Sequence, residues 1–262
     1  MKDQLIDIFF KTLNADSTPI TYKQSPAFKP SIMGSKCKRK IFYSYNRVLE
    51  DFKPSNKSKI RFKIGDKIHE LISDVYRKAG VLIDYIQPDG TPAISRHTGK
   101  PDFEFPIKDA ELELSLKIDA ILKLDSEVYI GEYKSINGDD FAKLVRPKPE
   151  HLIQATIYYY LFSKNLSDRV YDYIPELKGQ LEVKGIKFLY FNKDEKSWKE
   201  DGKGILKEFT VSANDAIFIN ILEDMEEIRL HTKNKILPAK TYDWCNSCNW
   251  RAKCKNDDCG IK

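Results

Sequence analysis

The stretch VYIGEYKSI, residues 128–136, places two opposite charges inside a run that otherwise has the composition of a buried strand. Since side chains alternate between faces along a strand, Glu132 and Lys134 should share one face, while Tyr133 points to the other. A charge on a half-buried strand is costly unless a partner compensates it. The simplest explanation is a cross-strand ion pair or a solvated edge. The rest of the chain decides whether these charges have a chemical role.

The composition is that of an ordinary globular protein. The 262 residues are 41% hydrophobic, which suffices for one large core. With 44 Lys+Arg against 39 Asp+Glu, the formal net charge of +5 suits a polyanionic partner without requiring one. Charges interrupt the first residues, MKDQLIDIFFKTL, and no run of 18 apolar residues occurs. We therefore expect a cytoplasmic protein without a membrane span.

The hydrophobic pattern predicts alternating strands and helices. Apolar residues at helical spacing predict helices over residues 4–13, 36–51, 59–79 and 150–164, and a helix from residue 213 that Ser212 caps. The stretches 111–122, 128–136, 182–193 and 205–211 alternate as strands. A turn at KLDSEV, residues 123–128, makes the first two strands antiparallel, so Asp119 should lie beside Glu132. This pattern indicates an α/β fold with a mixed central sheet flanked by helices.

Asp119, Glu132 and Lys134 form the pattern D-x12-E-x-K, which we place on the polar face of this hairpin. Magnesium prefers hard oxygen ligands, commonly one or two carboxylates together with waters and substrate phosphate. A lysine beside such a metal can position water or neutralise charge on phosphoryl oxygens. The three residues therefore indicate a candidate site for phosphodiester hydrolysis.

Two weaker signals flank this pattern. His69 stands four residues after Gly65 on one predicted helix, and Gln154 stands four residues before Tyr158 on another. A single histidine is more often a structural residue than a ligand, and a Gln/Tyr pair often marks an amphipathic boundary. The chain order G-x3-H, D, E-x-K, Q-x3-Y, however, resembles the RecB-like branch of the PD-(D/E)xK nuclease superfamily over about residues 65–161.

This resemblance implies a restriction-endonuclease-like fold and a set of functional residues. The chain would be a single nuclease domain, 1–262, with its catalytic core at 60–200. His69, Asp119 and Glu132 would bind magnesium or manganese, together with the carbonyl of Tyr133. Lys134 would be the catalytic lysine. Gln154 and Tyr158 would help to hold the active-site face and the DNA backbone.

The cysteines are grouped as in a metal site. Cys245, Cys248, Cys254 and Cys259 crowd the C-terminus, whereas Cys37 stands far from them. Four thiolates hold either a tetrahedral zinc or a [4Fe-4S] cluster, and their spacing does not choose between them. One alternative is a zinc knuckle built from the four C-terminal cysteines, with Cys37 a small buried hydrophobe.

The other alternative replaces Cys259 by Cys37. A subset of RecB-like nucleases, including the CRISPR-associated adaptation nuclease and the AddB subunit of helicase-nucleases, has one cysteine near the start and three after the nuclease motifs. The resemblance implies a [4Fe-4S] cluster on Cys37, Cys245, Cys248 and Cys254. Such a cluster would join residues 31–51 to residues 240–262 and would contribute to folding.

We therefore expect a metal-dependent DNA nuclease, by resemblance a single-strand-preferring exonuclease that acts at DNA ends. The expected settings are CRISPR adaptation, recombination and repair, or viral DNA processing, with a helicase or a CRISPR adaptation protein as the candidate partner. Two rivals remain open. One is a noncatalytic DNA-binding or scaffolding subunit, and the other is a zinc-stabilised RNA nuclease, since recognition of the 2′-hydroxyl has no short sequence signature.

Overall fold

The structure of the protein is a computed structural model. It describes residues 26–35, 37–51, 54–85, 89–94, 104–165, 183–241 and 248–260, together with positions 8 and 12. Most of the helix predicted over 4–13 lies outside the described residues, and so does Cys245. Within the described part, no helix combines the length and the apolar character needed to cross a membrane.

Helices and strands alternate along the described chain. The helices are α1 (Pro30–Met33), α2 (Lys38–Tyr45), α3 (Asn56–Lys78), α4 (Gly138–Lys143), α5 (Pro149–Asn165), α6 (Asp215–Asn234) and α7 (Arg251–Lys255). The strands are β1 (Leu82–Ile83), β2 (Phe105–Asp109), β3 (Leu114–Ile118), β4 (Ala120–Leu124), β5 (Glu127–Ile136), β6 (Val183–Asn192) and β7 (Leu206–Val211).

A five-stranded sheet forms the centre of the fold, in the order β1-β4-β5-β6-β7. Strands β5 and β6 run parallel, and the other neighbouring pairs run antiparallel. Helices flank this sheet, which confirms the predicted mixed α/β architecture. Strands β2 and β3 form a separate two-stranded sheet.

The prediction of one continuous strand over 111–122 is wrong at Asp119. The chain bends there, so that β3 pairs with β2 while β4 pairs with β1 and β5. A strand that leaves one sheet for another must break its ladder at the crossing. The predicted alternation itself is confirmed in β3, where Leu114, Leu116 and Ile118 are buried and the residues between them are exposed.

The predicted turn between β4 and β5 is confirmed. Leu124 pairs with Glu127 across a two-residue turn, and Asp125 adopts the left-handed region at φ 55°. Asparagine, aspartate and glycine favour that conformation in tight hairpins. The turn fixes a register in which Ala120 faces Gly131, so Asp119 lies at the end of β4 that adjoins Glu132.

The two faces of β5 contact different parts of the core. Val128 and Ile130 belong to the main core, which includes apolar residues of α5 and α6. Tyr133 packs on the other face, in a smaller cluster with Ile68 and Ile72 of α3. The other apolar residues that predicted α3 are largely exposed, namely Phe62, Leu71 and Val75.

Two predicted helix boundaries need correction. Helix α6 begins at Asp215, and the side-chain oxygen of Asn214, not Ser212, caps it by accepting a hydrogen bond from the Ile217 amide at 3.2 Å. Strand β7 extends to Val211, which leaves the chain extended through Ser212. The helix predicted over 36–51 is the shorter α2, because the chain turns at Arg47 with φ 51°.

Candidate active site

Asp119 and Glu132 meet at the bend between β3 and β4. The Oδ2 atom of Asp119 accepts a hydrogen bond from the Tyr133 amide at 2.9 Å. Because Tyr133 follows Glu132 directly, this bond holds one carboxylate beside the other. The Asp119 charge is accordingly one of the causes that raise the pKa of Glu132.

Glu132 is completely buried, which corrects the prediction that it lies on a polar face. Its side chain is 0% exposed and shares its side of β5 with Val128 and Ile130 of the main core. Burial, followed by repulsion from Asp119, raises the pKa of Glu132 to about 8, although Lys134 opposes this shift. An uncompensated carboxylate in this position is costly.

Lys134 is the nearest cation to Glu132. Its Nζ atom forms an ion pair with Glu132 Oε1, and its side chain is 21% exposed. Burial lowers the pKa of Lys134, but the carboxylates of Glu132 and Asp119 outweigh that effect and raise it overall. Lys134 is therefore a cation at neutral pH, at the boundary between the buried site and the solvent.

The carboxylate of Glu132 fits a divalent cation by its chemistry. Oε1 contacts Lys134 Nζ in the ion pair, whereas the buried Oε2 accepts no hydrogen bond from any described residue. Buried polar atoms are normally satisfied, so a carboxylate oxygen without a donor, beside a second carboxylate, calls for a further partner. Magnesium and manganese bind through such oxygen donors.

His69 contacts Tyr133, the residue that follows Glu132 on β5. Its ring meets the ring of Tyr133 edge to face, with centroids 5.8 Å apart, on the face that α3 covers. Among the described residues, no group of three or more His, Cys, Asp or Glu side chains is arranged to hold a metal ion. The structure thus brings Asp119 and Glu132 together and places His69 against Tyr133, and the role of His69 as a metal ligand stays a prediction.

The Tyr133 carbonyl remains compatible with its predicted role. The N–H and C=O groups of one strand residue project toward the same neighbouring strand. Since the Tyr133 amide bonds to Asp119, the carbonyl faces the same side as that carboxylate. Its role as a metal ligand stays a prediction.

Gln154 and Tyr158 form a buried pair on α5. Gln154 Nε2 donates to the Tyr158 hydroxyl at 2.6 Å, and both side chains are buried. Burial, followed by the charges of Glu132 and Asp119, raises the pKa of Tyr158 well above its ordinary value. The pair therefore lies near the carboxylates, and its burial suits holding the site more than touching DNA.

A second network near Lys134 was missed by the sequence interpretation. Tyr190 of β6 stands opposite Lys134 in the parallel ladder, and its hydroxyl accepts from the Lys148 amide at 3.1 Å. The same hydroxyl lies 2.9 Å from His151 Nδ1. Burial, then Lys134 and Lys148, lowers the pKa of His151 to about 3, so its ring is neutral. The sequence contains one indication of this network: His151 stands three residues before Gln154 on α5, so the two side chains lie on the same face of the helix.

Three of the predicted cluster ligands line one cavity. Cys37, at the start of α2, and Cys248 and Cys254, near the C-terminus, border a space of about 110 Å³. Arg39 and Tyr43 line it as well, whereas Cys259 is not part of its wall. Thiolate donors on both chain ends suit a cluster or a zinc ion, and the predicted fourth ligand, Cys245, lies outside the described residues.

Protein contacts already join the two ends of the chain at this cavity. Arg39 Nε donates to the Pro238 carbonyl at 2.7 Å, and Arg39 Nη1 donates to the Cys254 carbonyl at 3.1 Å. Trp250 Nε1 donates to the Val48 carbonyl at 2.8 Å. Arg39 and Trp250 therefore hold α2 and the residues just after it against the C-terminal segment.

A comparison with protein families places these residues in a known context. The model of the PD-(D/E)XK nuclease superfamily matches residues 88–255, more than half of the chain. The matched span contains Asp119, Glu132 and Lys134 as well as Cys245, Cys248 and Cys254. No curated protein matches the chain closely enough to count as a relative.

Proposed function

The chain belongs to the PD-(D/E)XK nuclease superfamily, and from this membership we propose that it is a magnesium- or manganese-dependent DNA nuclease acting at the ends of single strands. The superfamily implies a phosphodiester-hydrolysing enzyme. The observation that carries the proposal is Glu132, a fully buried carboxylate beside Asp119 that pairs with Lys134 through Oε1 and whose Oε2 accepts no hydrogen bond from any described residue. We include the RecB-like branch in this proposal because the motif order of that branch is complete in the chain.

Each residue of the site has a distinct task in hydrolysis. Asp119 and Glu132 would hold the divalent cation, with the Tyr133 carbonyl on the same side. A bound cation supplies Lewis-acid stabilisation of the phosphoryl oxygens and lowers the pKa of water. Lys134, held as a cation by both carboxylates, is placed to orient the nucleophilic water or to neutralise the phosphate.

The burial of Glu132 argues against a noncatalytic DNA-binding subunit. Burial and the neighbouring carboxylate raise the pKa of Glu132 despite its ion pair with Lys134, so its charged form is costly when no metal ion is bound. A subunit that only binds DNA would have no use for such an arrangement. A metal-dependent enzyme needs it, because the same oxygens become ligands.

We also propose that Cys37, Cys245, Cys248 and Cys254 hold a [4Fe-4S] cluster. The support is that Cys37 lines the same cavity as Cys248 and Cys254, whereas Cys259 does not. A zinc knuckle at the C-terminus would instead use Cys259. The cluster would link the N- and C-terminal segments through its iron ligands, in addition to the hydrogen bonds that Arg39 and Trp250 make between them.

End-labelled DNA tests the proposed activity. The purified protein is incubated with linear and circular DNA, single- and double-stranded, and with RNA, each with manganese or with EDTA. We expect metal-dependent loss of linear single strands and survival of circles. Asp119→Asn and Glu132→Gln should abolish hydrolysis. Asp125→Asn, in the exposed turn of the same hairpin, is the control and should remain active, because asparagine tolerates the left-handed conformation.

The other outcomes decide between the rivals. Binding of DNA without hydrolysis under any metal condition would support the noncatalytic subunit. Equal or faster loss of RNA would contradict the choice of DNA. Hydrolysis that persists in Glu132→Gln would exclude this site.

A further inference from the structure

A second cleft opens where β5 ends, on the face of the strand that α3 covers and just beyond Lys134 in the sequence. It has a volume of about 450 Å³, and its wall includes Arg61 and Ile64 of α3, Ser135 of β5, Asn137, and Lys193 just after β6. Ser135 follows Lys134 directly in the sequence. The rise of about 3.3 Å per strand residue puts Asn137 about 10 Å beyond Lys134.

The cleft is positively charged. Arg61 and Lys193 both line it, and in the described structure no carboxylate forms an ion pair with either of them. Asp140 also belongs to the wall, but its Oδ2 atom already pairs with Lys148 Nζ at 2.8 Å. Partial desolvation, then repulsion from Arg61, lowers the pKa of Lys193. An anion between the two cations would remove this repulsion.

Helix α3 connects the cleft to the active-site strand. Arg61, Gly65 and His69 follow one another at four-residue steps and so lie along one face of the helix. The ring of His69 touches the ring of Tyr133, and a Cβ atom on Gly65 would lie 3.6 Å from the Ser135 hydroxyl. This face therefore runs along β5 from the residue after Glu132 to the cleft.

We propose that this cleft binds a backbone phosphate of the DNA strand, close to the phosphate that the enzyme hydrolyses. The inference rests on the proposed nuclease function and adds Arg61 and Lys193 as positioning residues for its substrate. The guanidinium of Arg61 can donate two hydrogen bonds to one phosphate, and Lys193 adds a point charge. The hydroxyl of Ser135 supplies a further donor without sequence preference.

Binding measurements without hydrolysis test the cleft. Arg61→Gln and Lys193→Gln are made in the Glu132→Gln background, and affinity for a fluorescent single-stranded oligonucleotide is measured at several salt concentrations. The control is Lys78→Gln, an exposed position on α3, which the helical rise puts about 25 Å from Arg61. It removes the same charge. We expect each cleft variant to bind about 5- to 10-fold more weakly, with a salt slope lower by about 1. Lys78→Gln should change affinity less than about 2-fold, because screening over that distance is nearly complete.

Neutral linkages identify the bound group. A single methylphosphonate is moved along the oligonucleotide, and binding is compared with that of the unmodified strand. At one linkage, the methylphosphonate should weaken binding to the protein that retains Arg61 but should not weaken binding to Arg61→Gln. The phosphate charge and the guanidinium act together, so removing either one removes the same interaction. Additive losses at every linkage would overturn the proposal, as would Arg61→Gln behaving like Lys78→Gln.

The same variants with Glu132 restored separate this proposal from the nuclease function. Manganese-dependent hydrolysis that is unaffected by Arg61→Gln and Lys193→Gln at low substrate concentration refutes the cleft alone. Charge-dependent binding in the cleft without hydrolysis by the wild-type protein refutes the nuclease function alone. A rise in KM with little change in kcat supports both.

Discussion

The backbone amide of Tyr133 donates a hydrogen bond to the Asp119 carboxylate at 2.9 Å, and this single contact links the bend after β3 to the middle of β5. Because Glu132 precedes Tyr133, the contact brings two carboxylates together in a buried place. The result is a site in which burial, followed by the charge of Asp119, raises the pKa of Glu132.

The first prediction concerns stability without metal. The pKa of Glu132 is raised from its ordinary value of 4.5 to about 8, so the native state retains a proton that the unfolded state loses between these values. Stability should therefore fall as pH rises through this window and level off above it. In EDTA, the free energy of unfolding should drop by roughly 3 to 4 kcal/mol between pH 5 and pH 8 through this group. Urea unfolding at several pH values measures the change.

Glu132→Gln provides the comparison for that series. It keeps the shape of the side chain and removes its titration, so the variant should be more stable than the wild-type protein in EDTA at pH 8. Added manganese should stabilise only the wild-type protein. Equal pH slopes in the two proteins would show that Glu132 titrates normally.

The second prediction concerns Lys134. Replacing it by methionine keeps most of its aliphatic contacts but removes the cation that pairs with Glu132 beside Asp119. We expect hydrolysis to fall by about 10²- to 10³-fold, as is typical when a charge-stabilising group is lost. The remaining pH profile should shift to higher pH, because Lys134 normally lowers the pKa of Glu132. A reduced rate with an unshifted pH profile would show that Lys134 acts on the substrate and does not change the pKa of Glu132.

The sequence predicted the hairpin and its register but not the burial of its charges. Alternation and the turn at Asp125 suffice to place Asp119 near Glu132, since hairpin pairing is local. Whether the polar side of β5 faces water depends on what packs over it, and this tertiary contact is not encoded in the sequence of the hairpin itself. For the same reason Phe62, Leu71 and Val75 of α3 are exposed despite their helical spacing. Tyr190 was missed because its pairing with Lys134 is parallel and non-local.

The third prediction concerns Asp51, which anchors the C-terminal segment. Its Oδ2 atom accepts hydrogen bonds from the amides of Ala252 and Lys253 at 2.8 and 3.0 Å. Asp51→Ala leaves both amides without this acceptor and should lower the free energy of unfolding by about 2 kcal/mol. The loss should appear with or without bound metal, because these contacts are made by protein atoms alone. Thermal unfolding and limited proteolysis of residues 248–260 measure it.

Glu50→Ala is the matched control for this change. Glu50 adjoins Asp51 in sequence and is exposed, so its loss should leave unfolding nearly unchanged. If both variants behaved alike, the contacts at Ala252 and Lys253 would contribute nothing to docking.

The fourth prediction distinguishes the [4Fe-4S] cluster from the zinc knuckle. Cys37 lines the cavity with Cys248 and Cys254, so its thiolate should complete a [4Fe-4S] cluster with Cys245. Protein purified without oxygen should then be brown and contain about four irons per chain. Cys37→Ser should lose iron and colour and should expose both chain ends to protease, because cluster binding is coupled to folding. Cys259→Ser is the matched control, since Cys259 is not in the cavity wall, and it should keep both properties.

A colourless protein with one zinc that depends on Cys259 and not on Cys37 would instead establish the zinc knuckle. In that case Arg39 and Trp250 would hold the two ends of the chain together without a metal between them.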